Sequence, residues 1–281
     1  MNLEYNVCDL CHADDIRVLF EGRDRLHNLP GVFNIVQCQQ CGLVYLNPRP
    51  TKKDIEKYYP QSYEPHVVDK SLGQNWLLRL DYEYGLGKRR RAIERLVSKG
   101  RVLDIGCGSG SFLAYMREHG WHVQGLDISP HAVDYAQNKL NLDVALGELL
   151  DLQYPRHHFD LITMWNAFEH LYAPAATLRE CQRLLRPQGL LVIAVPNLSG
   201  LGAKIFGPAW VGYDVPRHLY TYSPETLRAM LQNNGFILHK VEFLFGTHQA
   251  YAHSLAFALK DPVKDLSTLE KKVIKIVRGR F

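Results

Sequence analysis

The 281-residue sequence has no run of eighteen apolar residues, and its N-terminus lacks the charged region and apolar core of a signal peptide. We therefore expect a cytoplasmic protein without a membrane span. A strong charge of either sign is also missing, because the formal net charge is only +4. The one marked basic run, KRRR at residues 88–91, predicts a solvated helix face, so nucleic-acid binding is not expected.

Cysteine is scarce, with six in the chain, yet four of them form two C-x-x-C pairs within the first 41 residues. Two thiolates three positions apart on a turn can bind one metal ion, and two such turns complete the tetrahedral site that zinc prefers. Cys8, Cys11, Cys38 and Cys41 therefore predict a structural zinc in a small zinc-ribbon-like module. A pair of disulfides is the alternative, which a reducing cytoplasm disfavours.

A glycine-rich turn follows the apolar pair Val102 and Leu103, where residues 104–110 read DIGCGSG. Glycines at alternate positions let a backbone turn approach a ligand that a side chain would exclude. About 20 residues further on, Asp127 ends the next apolar segment, where a carboxylate can accept hydrogen bonds from a ribose. The pattern predicts a nucleotide-like cofactor. The alternative role for Asp127 is to start the helix that follows it.

With Asp104 two positions ahead of the first glycine, the turn resembles motif I of the class I S-adenosylmethionine-dependent methyltransferases. The resemblance covers about residues 99–245 and implies S-adenosylmethionine as the cofactor. The residues that it assigns to cofactor binding are Asp104, Gly106, Cys107, Gly108, Gly110, Asp127, Ile128, Glu148, Leu149, Trp165 and Asn166.

Strand and helix patterns alternate after the glycine turn, which indicates an α/β fold. Residues 122–127, 159–165 and 190–197 are short apolar runs, whereas residues 178–185 have helical spacing. Strict alternation predicts a doubly wound, mostly parallel, Rossmann-like sheet with its ligand at the carboxyl ends of the strands. Residues 236–245 are expected to add an antiparallel strand, with its partner at 254–260 or 273–278.

These patterns divide the chain into four parts. Residues 1–50 form the zinc module, 51–98 a mostly helical connection, 99–259 the methyltransferase domain, and 260–281 a C-terminal tail. Residues 198–223 within the domain are irregular and rich in aromatic side chains, and we expect them to form a lid or an acceptor pocket.

Glu169, His170 and His218 are expected to converge at the mouth of the sheet. Either one imidazole takes the acceptor's proton, so that the rate rises with pH near 6.5, or all three side chains hold a divalent ion. This region also resembles the ubiquinone-pathway O-methyltransferases, which have a carboxylate ahead of their Glu-His pair where this chain has Asn166. That difference favours the base, with His170 ahead of His218.

Together these features predict methyl transfer from S-adenosylmethionine to an oxygen or carbon of a small-molecule acceptor. The zinc module also resembles the N-terminal segment of bacterial methyltransferases that act on nucleotide-linked sugars. A sugar or sugar-nucleotide is therefore the first expectation, and a phenol or quinone is the second. A non-catalytic adapter that acts through the zinc module and a dinucleotide oxidoreductase are the alternatives from other classes.

Overall fold

The computed structural model describes residues 1–60, 76–242 and 247–260. Its strands are β1 (Leu3–Glu4), β2 (Ile16–Gly22), β3 (Phe33–Cys38), β4 (Val44–Leu46), β5 (Arg49–Pro50), β6 (Arg101–Ile105), β7 (His122–Asp127), β8 (Val144–Leu146), β9 (Phe159–Trp165), β10 (Leu185–Ala194) and β11 (Tyr220–Thr221). Its α-helices are α1 (Lys52–Ile55), α2 (Trp76–Glu94), α3 (Ser111–Glu118), α4 (Pro130–Asn138), α5 (Pro174–Leu184), α6 (Leu201–Phe206), α7 (Pro224–Asn233) and α8 (Thr247–Lys260). Within the described ranges, no helix is long and apolar enough to cross a membrane.

The chain divides into two compact units, which we name after their sheets. The parallel unit consists of Tyr59–Phe168 and Ala173–Ala194. The antiparallel unit consists of Met1–Tyr58, Glu169–Tyr172 and Val195–Phe281. This division differs from the sequence-based one, which groups residues 195–259 with the methyltransferase domain.

Five parallel strands form the sheet of the parallel unit, in the order β10-β9-β6-β7-β8. The order reverses between β6 and β9, and ligands of such sheets bind beyond the carboxyl ends of the strands at this switch point. Both strands are buried along most of their length, as in a sheet that is covered on two faces. The predicted doubly wound, Rossmann-like fold is confirmed.

Helix α5 illustrates how the sequence covers this sheet. It buries Leu178, Cys181 and Leu184, which recur three positions apart and therefore share one helical face. The helix begins at Pro174, earlier than the predicted start, because proline is well suited to a first helical turn. The predicted break at residues 187–189 lies inside β10, where the pairing register with β9 is irregular.

Four antiparallel strands form the main sheet of the antiparallel unit, in the order β11-β4-β3-β2. In the pairing of β11 with β4, Tyr220 lies opposite Tyr45, and both side chains are buried with ring centroids 6.2 Å apart. The amide of Leu46 also donates to the carbonyl of Leu219 at 2.9 Å. The strands of the cysteine-bearing module therefore share one sheet with the residues that directly follow His218.

The strand predicted to begin at residue 236 and one of the two candidates for its partner, residues 254–260, are wrong in the described part of the chain. Residues 236–242 contain no strand, and residues 254–260 belong to α8. Helix α8 buries Ser254 and Ala258, and Ala258 packs with Phe206 and Trp210. A spacing of four positions is helical, so packing on one helix face decides this segment. Residues 243–245, the alternative strand at 273–278, nearly all of the predicted tail, and residues 61–75 of the connection lie outside the described residues.

Candidate functional site

The glycine turn lies between the carboxyl end of β6 and the start of α3. Gly106, Gly108 and Gly110 have φ values of +70°, +53° and +80°, in the left-handed region that favours glycine. The amide of Gly106 donates to the carbonyl of Leu126 at 2.8 Å, which ties the turn to β7. A β-carbon at Gly106 would lie only 2.6 Å from that of Ala167. This position therefore has no room for a side chain.

Asp127 closes the same turn from the end of β7. Its Oδ2 accepts a hydrogen bond from the amide of Gly108 at 2.7 Å, and its Oδ1 accepts one from the amide of Ser129 at 2.8 Å. A carboxylate oxygen has more than one acceptor position, so both oxygens can still accept from a ribose hydroxyl. Ser129 itself caps α4. Asp127 therefore orients the glycine turn while its carboxylate keeps the capacity to bind a ligand.

Asp104 lies at the base of the turn and is 2% exposed. Its Oδ1 accepts a hydrogen bond from the hydroxyl of Thr163 at 2.6 Å. Burial raises the pKa of Asp104 to about 7, although the bond from Thr163 and the charge of Arg89 act in the opposite direction. The carboxyl is therefore poised between its neutral and charged forms near neutral pH.

Arg89 belongs to this region and was missed by the sequence reasoning. Its guanidinium carbon lies 4.6 Å from the ring centroid of Trp165, and Phe112 meets the same ring edge-on at 5.3 Å. The Trp165 Nε1 is buried without a hydrogen-bond partner among the described residues. The predicted solvated face is therefore wrong for Arg89, whose pKa is lowered by burial. A basic run alone does not indicate which of its members faces inward.

The remaining residues that the resemblance assigns to the cofactor follow the strands of the same sheet. Cys107 lies in the glycine turn, and Ile128 follows β7 with 55% of its surface exposed. Glu148 and the buried Leu149 follow β8, and Asn166 follows β9 with φ of +54°. Because the carboxyl ends of parallel strands share one edge, the fold brings these residues to the edge where ligands of such sheets bind.

A second group of polar side chains lies in the antiparallel unit. Glu169, His170 and His218 each offer a potential ligand atom, and these atoms lie within 4.8 Å of one another. The two imidazole rings meet edge-on with centroids 4.6 Å apart. The His218 Nε2 is 4.0 Å from Oε1 of Glu169 and 4.0 Å from Oδ2 of Asp214. We call Glu169, His170 and His218 the histidine cluster.

Backbone carbonyls decide which nitrogen of each imidazole carries the proton. The Nδ1 of His170 is 3.0 Å from the carbonyl oxygen of Arg217, and the Nδ1 of His218 is 2.8 Å from that of Gly212. A carbonyl oxygen can only accept, so each Nδ1 must carry a hydrogen. In the neutral rings, the acceptor nitrogen is therefore Nε2 in both cases. That nitrogen can take a proton or bind a metal ion.

Burial sets the charge of the cluster. It raises the pKa of Glu169 to about 8, and the nearby Asp214 adds to the effect. It lowers the pKa of His170 to about 3 and also lowers the pKa of His218. All three groups are therefore uncharged at neutral pH. Both carboxyl oxygens of Glu169 are buried without a hydrogen-bond partner among the described residues. Most buried polar atoms in proteins do have such a partner.

The four cysteines of the two C-x-x-C pairs meet in one place, with their sulfur atoms within 4.8 Å of one another. Sulfur atoms of Cys8 and Cys41 are 3.4 Å apart, and those of Cys11 and Cys38 are 3.5 Å apart. A disulfide requires about 2.0 Å, whereas thiolates around one zinc ion lie about 3.8 Å apart. The four thiols therefore fit a tetrahedral zinc ion better than a pair of disulfides.

Comparison with known proteins adds to this geometry. A family model described as a methyltransferase domain matches residues 78–241, more than half of the chain. The ubiquinone biosynthesis O-methyltransferase of Xylella fastidiosa (strain 9a5c) is 29% identical over 192 residues, which cover 64% of this chain and 74% of that protein. The protein of the same name from Nitrosospira multiformis is 30% identical over 160 residues, 52% of this chain and 66% of that protein. The crystal structure of the [4+2]-cyclase SpnF superposes with a TM-score of 0.51 and 18% identity, over 75% of this chain and 81% of that one, and shares the fold.

Proposed function

The chain belongs to the methyltransferase domain family and is an S-adenosylmethionine-dependent methyltransferase, and from this premise we propose that its acceptor is a phenolic hydroxyl. The observation that carries the proposal is that relatives 29% and 30% identical are O-methyltransferases of ubiquinone biosynthesis. These relatives lend no support to the sugar that the zinc module suggested first, so the phenol takes its place. Family membership also argues against the adapter and the dinucleotide oxidoreductase.

We propose that the parallel unit binds the cofactor at the glycine turn. Bound S-adenosylmethionine supplies a methyl group on a positively charged sulfur. The cofactor would lie against the turn that the left-handed backbone of Gly106 makes, and Asp127 would accept hydrogen bonds from the ribose hydroxyls. In this proposal Arg89, which lies over the ring of Trp165, pairs with the carboxylate of the methionine part. The Nε1 of Trp165 has no hydrogen-bond partner among the described residues and is a further donor.

The histidine cluster supplies the base in this proposal. Nε2 of His218 would take the proton of the acceptor hydroxyl, and bound S-adenosylmethionine would supply the methyl group for the new carbon–oxygen bond. S-adenosylhomocysteine and the methyl ether are then the products. The carboxylate of Asp214, 4.0 Å from that nitrogen and with a lowered pKa, stabilises the imidazolium. This geometry favours His218 over His170, which reverses the preference from the sequence.

The uncharged cluster also suits a phenol better than a sugar. Imidazoles whose pKa is lowered by burial are weak bases. A phenol has a pKa of about 10, whereas the pKa of an aliphatic hydroxyl is several units higher. Proton transfer to a weak base is less uphill from the phenol, so the electrostatics of the cluster agree with the relatives.

We also propose that the protein binds one structural zinc ion. It would be held by Cys8 and Cys11 in the turn before β2 and by Cys38 and Cys41 at the turn between β3 and β4. The residues before β5 are too few to bury a core of their own, so the metal would supply stability that apolar packing cannot.

An acceptor assay tests the function. The protein is incubated with S-adenosylmethionine and either a catechol with a short isoprenoid chain or a nucleotide sugar, and S-adenosylhomocysteine and methylated product are measured by mass spectrometry. We expect methylation of the catechol on oxygen. The Asp127→Ala variant serves as the control for cofactor dependence and should lose most of the signal. Methylation of the nucleotide sugar with no product from the catechol would overturn the proposed acceptor.

A further inference from the structure

Arg217 is a fully buried arginine that contacts both the N-terminal segment of the antiparallel unit, residues 1–58, and the turn that precedes His218. Its Nε and Nη2 donate to the two carboxylate oxygens of Asp214 at 2.8 and 2.6 Å. Nη2 also donates to Oδ1 of Asp24 at 2.7 Å, and Nη1 donates to the carbonyl of Tyr58 at 2.9 Å. Both Arg217 and Asp24 have side chains that are 0% exposed. The guanidinium therefore joins the N-terminal segment to the turn that precedes His218.

The charge of this network is fixed. Burial alone would lower the pKa of Arg217, but its bonds to Asp214 and Asp24 outweigh that effect and raise the pKa. Asp24 is itself held by the amides of Leu26, His27 and Leu29 at 3.1 to 3.3 Å. A buried ion pair is weak evidence for stability, because the desolvation of its charges offsets their attraction. The hydrogen bonds of this network nevertheless fix the guanidinium relative to Asp24 and Asp214.

Arg217 and its partner Asp214 each lie close to one histidine of the cluster. The carbonyl of Arg217 accepts the hydrogen bond from Nδ1 of His170 at 3.0 Å. Asp214, which the guanidinium holds by both oxygens, places Oδ2 4.0 Å from Nε2 of His218. Asp214 has φ of +25°, a left-handed value that costs a non-glycine residue energy and persists only where neighbouring contacts enforce it. Arg217 provides such contacts.

We propose that Arg217, anchored on Asp24, is the positioning residue that sets the orientation and tautomer of His170 and places the carboxylate of Asp214 beside His218. The inference rests on the proposed function for its catalytic consequence, since that function makes the cluster the base. This role would also connect the N-terminal segment to the histidine cluster, because Asp24 follows β2 in that segment. Cofactor binding in the parallel unit does not depend on it.

The test measures tautomers as well as turnover. Two-bond proton–nitrogen NMR spectra of histidine side chains are recorded for the wild type, Arg217→Lys and Arg217→Met, with His170 and His218 assigned by substitution. We expect Nδ1–H tautomers for both residues in the wild type, a mixture for His170 in R217M and an intermediate state in R217K. Turnover of the isoprenoid catechol should fall about tenfold or more in R217M, while the affinity for S-adenosylmethionine stays within about twofold.

Arg183→Met is the matched control. Arg183 also pairs with a carboxylate three positions earlier, that of Glu180 at 2.8 Å, and donates to a backbone carbonyl, that of Tyr154 at 2.8 Å, but it lies in the parallel unit. Its removal should leave the tautomers and turnover unchanged. If R217M does not fold, Asp24→Asn takes its place, because it frees one side of the guanidinium and keeps a side chain of the same shape. A smaller change in the same direction is then expected.

The outcomes separate this inference from the proposed function. A tautomer shift together with slower turnover supports both. A tautomer shift at His170 with unchanged turnover supports the positioning of His170 and contradicts the proposed contribution of the Asp214 carboxylate beside His218. Unchanged tautomers in folded R217M, or in folded D24N where R217M does not fold, overturn the positioning role, whether or not turnover falls.

Discussion

Replacing Glu169 with glutamine should make the protein more resistant to unfolding as the pH rises. Burial raises the pKa of Glu169 to about 8 from an ordinary value of 4.5, so the folded protein keeps a proton that the unfolded chain releases. Between these two pH values the folded state binds more protons, and the free energy of unfolding therefore falls as the pH rises. A carboxamide does not ionise, so the Glu169→Gln variant lacks this fall.

The size of the effect follows from the two pKa values. At about 1.4 kcal/mol for each pKa unit, the buried carboxyl weakens the folded state by about 2 kcal/mol at pH 6 and about 4 kcal/mol at pH 8. The stability of Glu169→Gln relative to wild type should therefore increase by about 2 kcal/mol from pH 6 to pH 8. Contributions from His170, His218 and Asp214 are present in both proteins, so they largely cancel in the difference.

Urea unfolding followed by circular dichroism between pH 5 and pH 8 measures this difference. Glu225→Gln is the control, because Glu225 lies in the first turn of α7 and its pKa is lowered by a hydrogen bond with Ser223. That variant should not gain stability relative to wild type as the pH rises. A constant difference between Glu169→Gln and wild type across this range would refute the neutral buried carboxyl.

Three other predictions concern zinc and the cofactor. The purified protein should contain one zinc per chain by elemental analysis, and Cys38→Ser should lose it while calorimetry finds an unchanged affinity for S-adenosylmethionine; less than half an equivalent of zinc would count against the site. Asp127→Ala should weaken cofactor binding by about 2 to 3 kcal/mol in calorimetry, the range for hydrogen bonds to a charged group. An unchanged affinity would leave Asp127 as a helix-start residue alone. Gly106→Ala should also weaken binding, because its β-carbon would meet Ala167 at 2.6 Å, and wild-type affinity would show that the turn can relax.

The fold of the parallel unit was predictable from the sequence because its signals are local. The strand predicted at 159–165 coincides with β9, since a short apolar run in a parallel sheet is buried on both faces whatever its neighbours are. The glycine spacing and the distance in sequence from the glycines to Asp127 can likewise be recognised without knowing which distant residues they contact. The assignments that failed depended on distant partners. Ala258 packs with Phe206 and Trp210, and Arg89 faces Trp165. No local pattern encodes either contact.

The histidine cluster was predictable from the sequence only in part. Its members were identified by residue type, and the structure places their ligand atoms within 4.8 Å. Arg217 drew no attention as a sequence feature, because an arginine three positions after an aspartate is ordinary on a protein surface. Its significance comes from Asp24, almost two hundred positions earlier in the chain, which only the fold brings to 2.7 Å. Long-range ion pairs of this kind lie beyond reasoning from one sequence.

Burial also changes the pH dependence that the sequence suggests for catalysis. An ordinary histidine base would make the rate rise through a pH near 6.5, but burial lowers the pKa of His218 and brings that of His170 to about 3. The neutral form of each imidazole then predominates at pH 6.5, so kcat/KM for the catechol should have its acidic limb below that value. Initial rates from pH 5 to pH 7.5 measure the limb. His218→Gln should lower the rate about a hundredfold to ten-thousandfold and abolish the limb, whereas His158→Gln, at a half-exposed histidine in the parallel unit, should leave the profile unchanged. A limb at pH 6.5 or above that disappears in His218→Gln would show that water reaches this imidazole in the working enzyme and that burial does not set its charge.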